Sequence, residues 1–116
     1  MMRLVMLDDD PEHELLLTLI ARSIDARVVA RVSDLDALEQ AIDTLRPDAL
    51  VLDLWIGRDK SLDRLDDILR IARDCRIVVW TYDPWTARPY VVDTNIDVID
   101  KMSSPQELLR NLQTVG

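Results

Sequence analysis

The chain has 116 residues, 48% hydrophobic and 31% charged, which suits one folded domain over residues 1–116 and excludes a disordered or fibrous segment. Its formal charge of −8, from 22 acidic and 14 basic residues, argues against a nucleic-acid partner, since a phosphate backbone repels such a surface. No apolar run approaches the roughly 18 residues of a membrane span, Leu4–Leu7 meets an aspartate triplet too soon for a signal peptide, and the single cysteine, Cys75, suits a reducing cytoplasm.

Eighteen of the acids are aspartate and only four are glutamate. Aspartate is a poor helix former but a good cap, turn residue or metal ligand. Glycine stands only at positions 57 and 116, so connections must rely on Asp, Ser and Pro.

Leu4-Val5-Met6-Leu7 reads as a buried strand. Asp10 as N-cap and Pro11 at the first helical position then start a helix reaching about Ile24, with Leu15, Leu16, Leu19 and Ile20 as its apolar face. Arg27–Arg31 is a second strand, and Ser33 with Asp36 resembles a capping box. The helix that follows carries Leu35, Leu38, Ala41, Ile42 and Leu45 and ends at Arg46-Pro47. Ala49–Leu52 is a third strand running into Asp53, and Leu62, Leu65, Ile68, Leu69 and Ala72 mark a third helix. Arg76–Trp80 is a fourth strand, Val98-Ile99 lies in a fifth, and Ser104–Glu107 starts a last helix with Leu108, Leu109, Leu112 and Val115.

Apolar strands alternating with crossover helices predict a doubly wound α/β layer with a parallel sheet. In that architecture the ligand site lies beyond the carboxyl ends of the strands. The residues in those places are Asp8-Asp9-Asp10, Asp53, Thr81 and Lys101. Asp10 is assigned to the cap. Carboxylates from Asp8, Asp9 and Asp53 repel one another unless a cation sits among them, and Mg²⁺ is the natural oxygen-seeking filler. A hydroxyl at Thr81 and an ammonium at Lys101 add a donor and a positive charge. Such a pocket suits a tetrahedral dianion beside a metal, with a carboxylate as nucleophile toward phosphorus.

The stretches Leu4–Pro11, Pro47–Asp53, Val78–Thr81 and Asp100-Lys101 resemble the receiver domain of two-component response regulators along the whole chain. The resemblance implies a flavodoxin-like five-stranded sheet in order 2-1-3-4-5. It implies Asp53 as phosphoacceptor, with Thr81 and Lys101 contacting the phosphoryl group. Mg²⁺ would be held by Asp9, Asp53 and the backbone carbonyl of Trp55, with Asp8 assisting. The implied partners are a histidine kinase or histidine phosphotransferase and a downstream protein target; no enzymatic turnover is expected.

The chain departs from that pattern in several places. Tyr82 stands where a small residue usually follows the threonine, Ser61 where a glycine precedes the third helix, Val98 at the aromatic switch position, and Met102 where a proline usually follows the lysine. Two prolines and a Tyr-Val-Val run between Asp83 and Asn95 predict a short or irregular fourth helix. The five aromatics fall between Trp55 and Tyr90, and Trp55, Tyr82 and Trp85 are placed around the rim of the site, as a docking face or a cover for the sheet edge. Cys75 reads as a small buried hydrophobe and His13 as a solvated helix residue. Two alternatives remain: a degenerate receiver that binds partners without phosphorylation, and a phosphatase of the haloacid dehalogenase type using Asp8 and Asp10.

Overall fold

The computed structural model describes residues 1–72 and 74–113; Val115, expected on the last helix, lies outside them. The elements are β1 (Met2–Leu7), α1 (Pro11–Ala21), β2 (Ala26–Val32), α2 (Leu35–Leu45), β3 (Ala49–Leu52), β4 (Trp55–Ile56), β5 (Asp59–Lys60), α3 (Leu65–Ile71), β6 (Arg76–Thr81), α4 (Pro84–Ala87), β7 (Asp97–Asp100) and α5 (Pro105–Gln113). Five strands form a parallel sheet in the order β2-β1-β3-β6-β7, which is the expected 2-1-3-4-5 order once the small β4-β5 hairpin is set aside.

Successive residues of a strand face opposite sides of the sheet, and here both sides are apolar. Val5, Leu7, Leu50, Leu52, Ile77 and Val79 pack with Leu38 and Ala41 of α2 and Ile68 of α3. Leu4, Met6, Ala49, Val51, Val78 and Trp80 pack with Leu17 and Ile20 of α1 and Leu108 and Leu112 of α5. The register sets Leu7 beside Leu52 and Leu52 beside Val79, so the residues that follow these strands emerge together at one end. The switch between β1 and β3 opens there. The sheet therefore brings residues far apart in sequence to one rim.

Helix starts follow the capping aspartates. Asp10 accepts from the Glu12 amide at 2.9 Å, with Pro11 opening α1 as expected. For α2 the cap is Asp34, which accepts from the Ala37 amide at 2.8 Å, and not Ser33. The last turn of the first helix tightens to a 3₁₀ segment, Arg22–Ile24, and Asp25 then turns left-handed at φ 54°. A second departure concerns the face of α1. Leu17, Ile20 and Ala21 are buried, whereas Leu15 and Leu19 are 63% and 53% exposed. The run Leu15-Leu16-Leu17 offers three leucines in a row, and packing on β1 selects the last one, Leu17.

The β4-β5 hairpin was not legible in the sequence. It turns at Gly57, whose φ of +60° is readily reached without a Cβ. The fourth helix is one turn long, followed by a 3₁₀ segment at Arg88–Val91, as the prolines predicted. No cis peptide occurs among the described residues. No helix among them is long and apolar enough to cross a membrane.

Candidate functional site

The site sits at the carboxyl ends of β1, β3, β6 and β7. Asp8 follows β1 directly, and its backbone amide donates to Val32 of β2 at 3.0 Å. Asp53 follows β3, and its amide donates to the Leu7 carbonyl at 2.8 Å. Lys101 follows β7 and donates its amide to the Thr81 carbonyl at 2.9 Å. Backbone bonds across the sheet thus fix where each functional side chain begins.

Asp8, Asp53, Thr81 and Lys101 are buried here, each less than a tenth exposed, as is the neighbouring Ser61. The Lys101 ammonium donates to Asp8 Oδ2 at 2.8 Å and to Asp53 Oδ2 at 3.0 Å. It also lies over the rings of Trp80 and Tyr82, at 5.1 and 5.3 Å from their centroids. An isolated buried carboxylate is costly in a medium of low dielectric, and this shared cation offsets much of that cost. Burial is nonetheless the stronger influence on Asp53. It lifts that carboxyl above the ordinary aspartate value of 3.8, Lys101 opposes by charge and hydrogen bond, Asp8 adds to the rise and the Thr81 hydroxyl lowers it.

Asp9 is placed differently from Asp8 and Asp53. Its side chain is exposed, and Oδ2 accepts from the Gly57 amide at 2.7 Å, tying the first loop to the tip of the hairpin. Trp55 begins the hairpin two residues beyond Asp53, and its indole Nε1 donates to Asp83 Oδ2 at 3.0 Å. That bond is the first cause holding the Asp83 carboxyl below its ordinary range. The indole therefore spans from the hairpin to the start of α4. Trp85 and Tyr82 stand out on the rim, at 70% and 53% exposure. Thr81 Oγ1 accepts from the Asp83 amide at 3.2 Å.

His13 differs most from its expected place. Its side chain is only 14% exposed, and Nδ1 lies 3.0 Å from both carboxylate oxygens of Asp8 and 2.8 Å from Lys101 Nζ. Its ring meets Tyr82 at 5.5 Å between centroids and Trp80 at 6.2 Å. The signal was present in the sequence. A residue in the first turn of a helix directs its side chain back toward the helix N-terminus, and only three residues separate β1 from this helix. Among the described residues, Asp8, His13 and Asp53 form a group whose ligand atoms all lie within 4.8 Å of one another.

The solved structures show what this arrangement resembles. The response regulator domain of CheB from Thermotoga maritima superposes with a TM-score of 0.78 at 23% identity, covering 97% of this chain and 93% of that one. The chain has the receiver fold. The CheX–CheY–BeF₃–Mg²⁺ complex from Borrelia burgdorferi gives 0.82 at 14% identity, with coverage of 98% and 88%. RcsB from Salmonella enterica serovar Typhimurium, bound to promoter rprA with the phosphomimetic BeF₃⁻, gives 0.83 at 21% identity, with coverage of 99% and 68%. No protein-family model and no curated protein matches the sequence. Within the receiver fold, Asp8, Asp53, Thr81 and Lys101 occupy the strand ends that the sequence reading assigned to them.

Proposed function

We propose that the chain is a phosphoacceptor switch of a two-component relay in the cytoplasm, with Asp53 as the accepting carboxylate. The observation that carries this reading is the buried ammonium of Lys101 bridging Asp8 and Asp53 at the sheet's switch point. In the proposed step one Asp53 oxygen attacks the phosphorus of a phosphohistidine or acyl phosphate. The new O–P bond forms as the donor's bond to phosphorus breaks, and the donor leaves with that electron pair. Lys101 exchanges its hydrogen bond to Asp53 for one to a phosphoryl oxygen, and the Thr81 hydroxyl donates to another.

The donor set fits a hard divalent ion, because the pocket offers carboxylate oxygens in excess of its single ammonium. Asp8, Asp9, Asp53 and the backbone carbonyl of Trp55 would hold Mg²⁺, which supplies charge neutralisation when bound. Asp9 must first leave the Gly57 amide. The implied donors are a histidine kinase or histidine phosphotransferase, and output passes to a protein target. The charge of −8 disfavours nucleic acid as a direct partner.

The degenerate-receiver reading draws support from Tyr82, whose ring lies against His13 and within cation–π range of Lys101 at the pocket wall. The phosphatase reading loses its acid, since Asp10 is engaged as the cap of α1. The deciding experiment treats the protein with acetyl phosphate and Mg²⁺ and reads intact mass. A gain of one phosphoryl group that vanishes in Asp53→Asn supports the switch. No gain under any donor leaves the degenerate receiver.

A further inference from the structure

We propose that Asp8, His13 and Asp53 form a second cation site, selective for imidazole-accepting divalent ions such as Zn²⁺ and centred where the Lys101 ammonium now lies. Three donor atoms lie at similar distances from that nitrogen: Asp8 Oδ2 at 2.8 Å, His13 Nδ1 at 2.8 Å and Asp53 Oδ2 at 3.0 Å. The contacts of Nδ1 cannot all be favourable at once. If it carries the ring proton and donates to Asp8, that N–H confronts the ammonium. If it accepts from the ammonium, its lone pair confronts both Asp8 oxygens at 3.0 Å. A divalent ion among the three atoms resolves the conflict, because each donor then has a cation as its neighbour and Nδ1 needs no proton.

A separate observation favours ligation. The other ring nitrogen, Nε2, faces Asp10 Oδ2 at 3.5 Å. At that distance the contact is electrostatic and not a hydrogen bond, but a carboxylate on that side favours the ring proton on Nε2, which leaves the Nδ1 lone pair free to ligate. The edge-on contact of the ring with Trp80 and its tilted contact with Tyr82 further restrict its rotation. Two oxygens and one imidazole nitrogen, with a fourth position left for water, suit Zn²⁺, whereas Mg²⁺ prefers oxygen alone. This ion and the Lys101 ammonium compete for one place, so occupancy expels the lysine and removes it from Asp53.

The proposal does not depend on phosphoryl transfer, and its test uses no phosphodonor. The full chain, freed of metal by chelator, is titrated with Zn²⁺ alone and with Mg²⁺ alone, and heat and melting temperature are read. Wild type is expected to bind one Zn²⁺, with His13→Gln weakening it by about tenfold or more and leaving Mg²⁺ binding unchanged. Lys101→Met, lacking the competing ammonium, should bind Zn²⁺ more tightly. His13 is the only histidine, so its ring ¹⁵N resonances in the wild-type protein should shift on adding Zn²⁺ even where a variant fails to fold. Zn²⁺ binding that is indifferent to His13→Gln, weaker in Lys101→Met, or silent at the ¹⁵N resonances overturns the proposal.

Discussion

The hydroxyl of Ser61 donates to the backbone carbonyl of Asp53 at 2.6 Å, and both residues are buried. The Ser61 amide also donates to the Leu54 carbonyl at 2.7 Å. One serine therefore fastens two successive carbonyls, those of Asp53 and Leu54, directly after the functional carboxylate. Ser61→Ala strands the Asp53 carbonyl without that donor, and an unsatisfied buried acceptor costs about 1–3 kcal/mol. Urea unfolding should show that loss with an unchanged slope. An unmoved midpoint would mean that the carbonyl finds another donor.

Asp53 itself gives stability a definite pH dependence. Burial, opposed by Lys101, raises its folded-state pKa above the ordinary value of 3.8. Between those two values the folded chain holds a proton that the unfolded chain has released. The contribution of Asp53 to stability therefore falls as pH rises through that window and stays low at neutral pH. In chelator, Asp53→Asn should melt above wild type at pH 7, and the gap should close as pH falls below 3.8. Added Mg²⁺ should narrow it at neutral pH by stabilising the wild type. A variant that melts lower at pH 7 would show that the Lys101 bridge outweighs the burial of the charge.

The indole of Trp55, tied to Asp83, spans one side of the entrance to Asp53. On the phosphoacceptor reading it restricts the line along which water attacks phosphorus. Departures from in-line geometry can cost up to about 10²-fold in rate. Trp55→Ala should therefore lose phosphate several-fold faster than wild type after donor removal, at fixed Mg²⁺. Trp55→Phe, which keeps a ring but loses the bond to Asp83, should fall between them. Equal decay in all three would assign Trp55 to a docking role.

The packing of α1 makes a further prediction. Leu17→Ala should cost about 2–5 kcal/mol, as expected for a leucine excised from a packed core. Leu15→Ala and Leu19→Ala should stay within about 0.5 kcal/mol of wild type, because those side chains face solvent. Chemical denaturation of the three variants checks this. Comparable losses at all three positions would contradict the orientation of the helix.

These cases also show which features were legible in the sequence. Strand ends were readable because an apolar run that stops at an aspartate or lysine marks both the strand and its rim residue, as at Leu52-Asp53. Helix starts were readable from Asp10-Pro11. The buried face of α1 was harder, because Leu15, Leu16, Leu17 and Leu19 fit more than one helical stripe and only contact with β1 chooses. The choice of Asp34 over Ser33 turned on a single amide. His13 was missed because one histidine among helix residues looks solvated until the helix is known to start at the rim. The hairpin at Gly57 depends on Asp9 reaching across to its amide, a contact between residues 48 apart.

The one-turn α4 has a consequence for how any event at Thr81 is transmitted. A long helix moves as a rigid lever and carries a small displacement at its base to a distant surface. Pro84–Ala87 is too short for that, and the 3₁₀ segment after it changes the axis at once. Tyr90 is further moored to Asp63 at 2.5 Å, with Lys60 poised 6.0 Å from the ring. Neither α4 nor the 3₁₀ segment is built to carry a displacement from the Thr81 end over a long distance. On the switch reading proposed above, a partner reads the state of this protein at the mouth of the pocket, where Trp55, Tyr82 and Trp85 stand exposed.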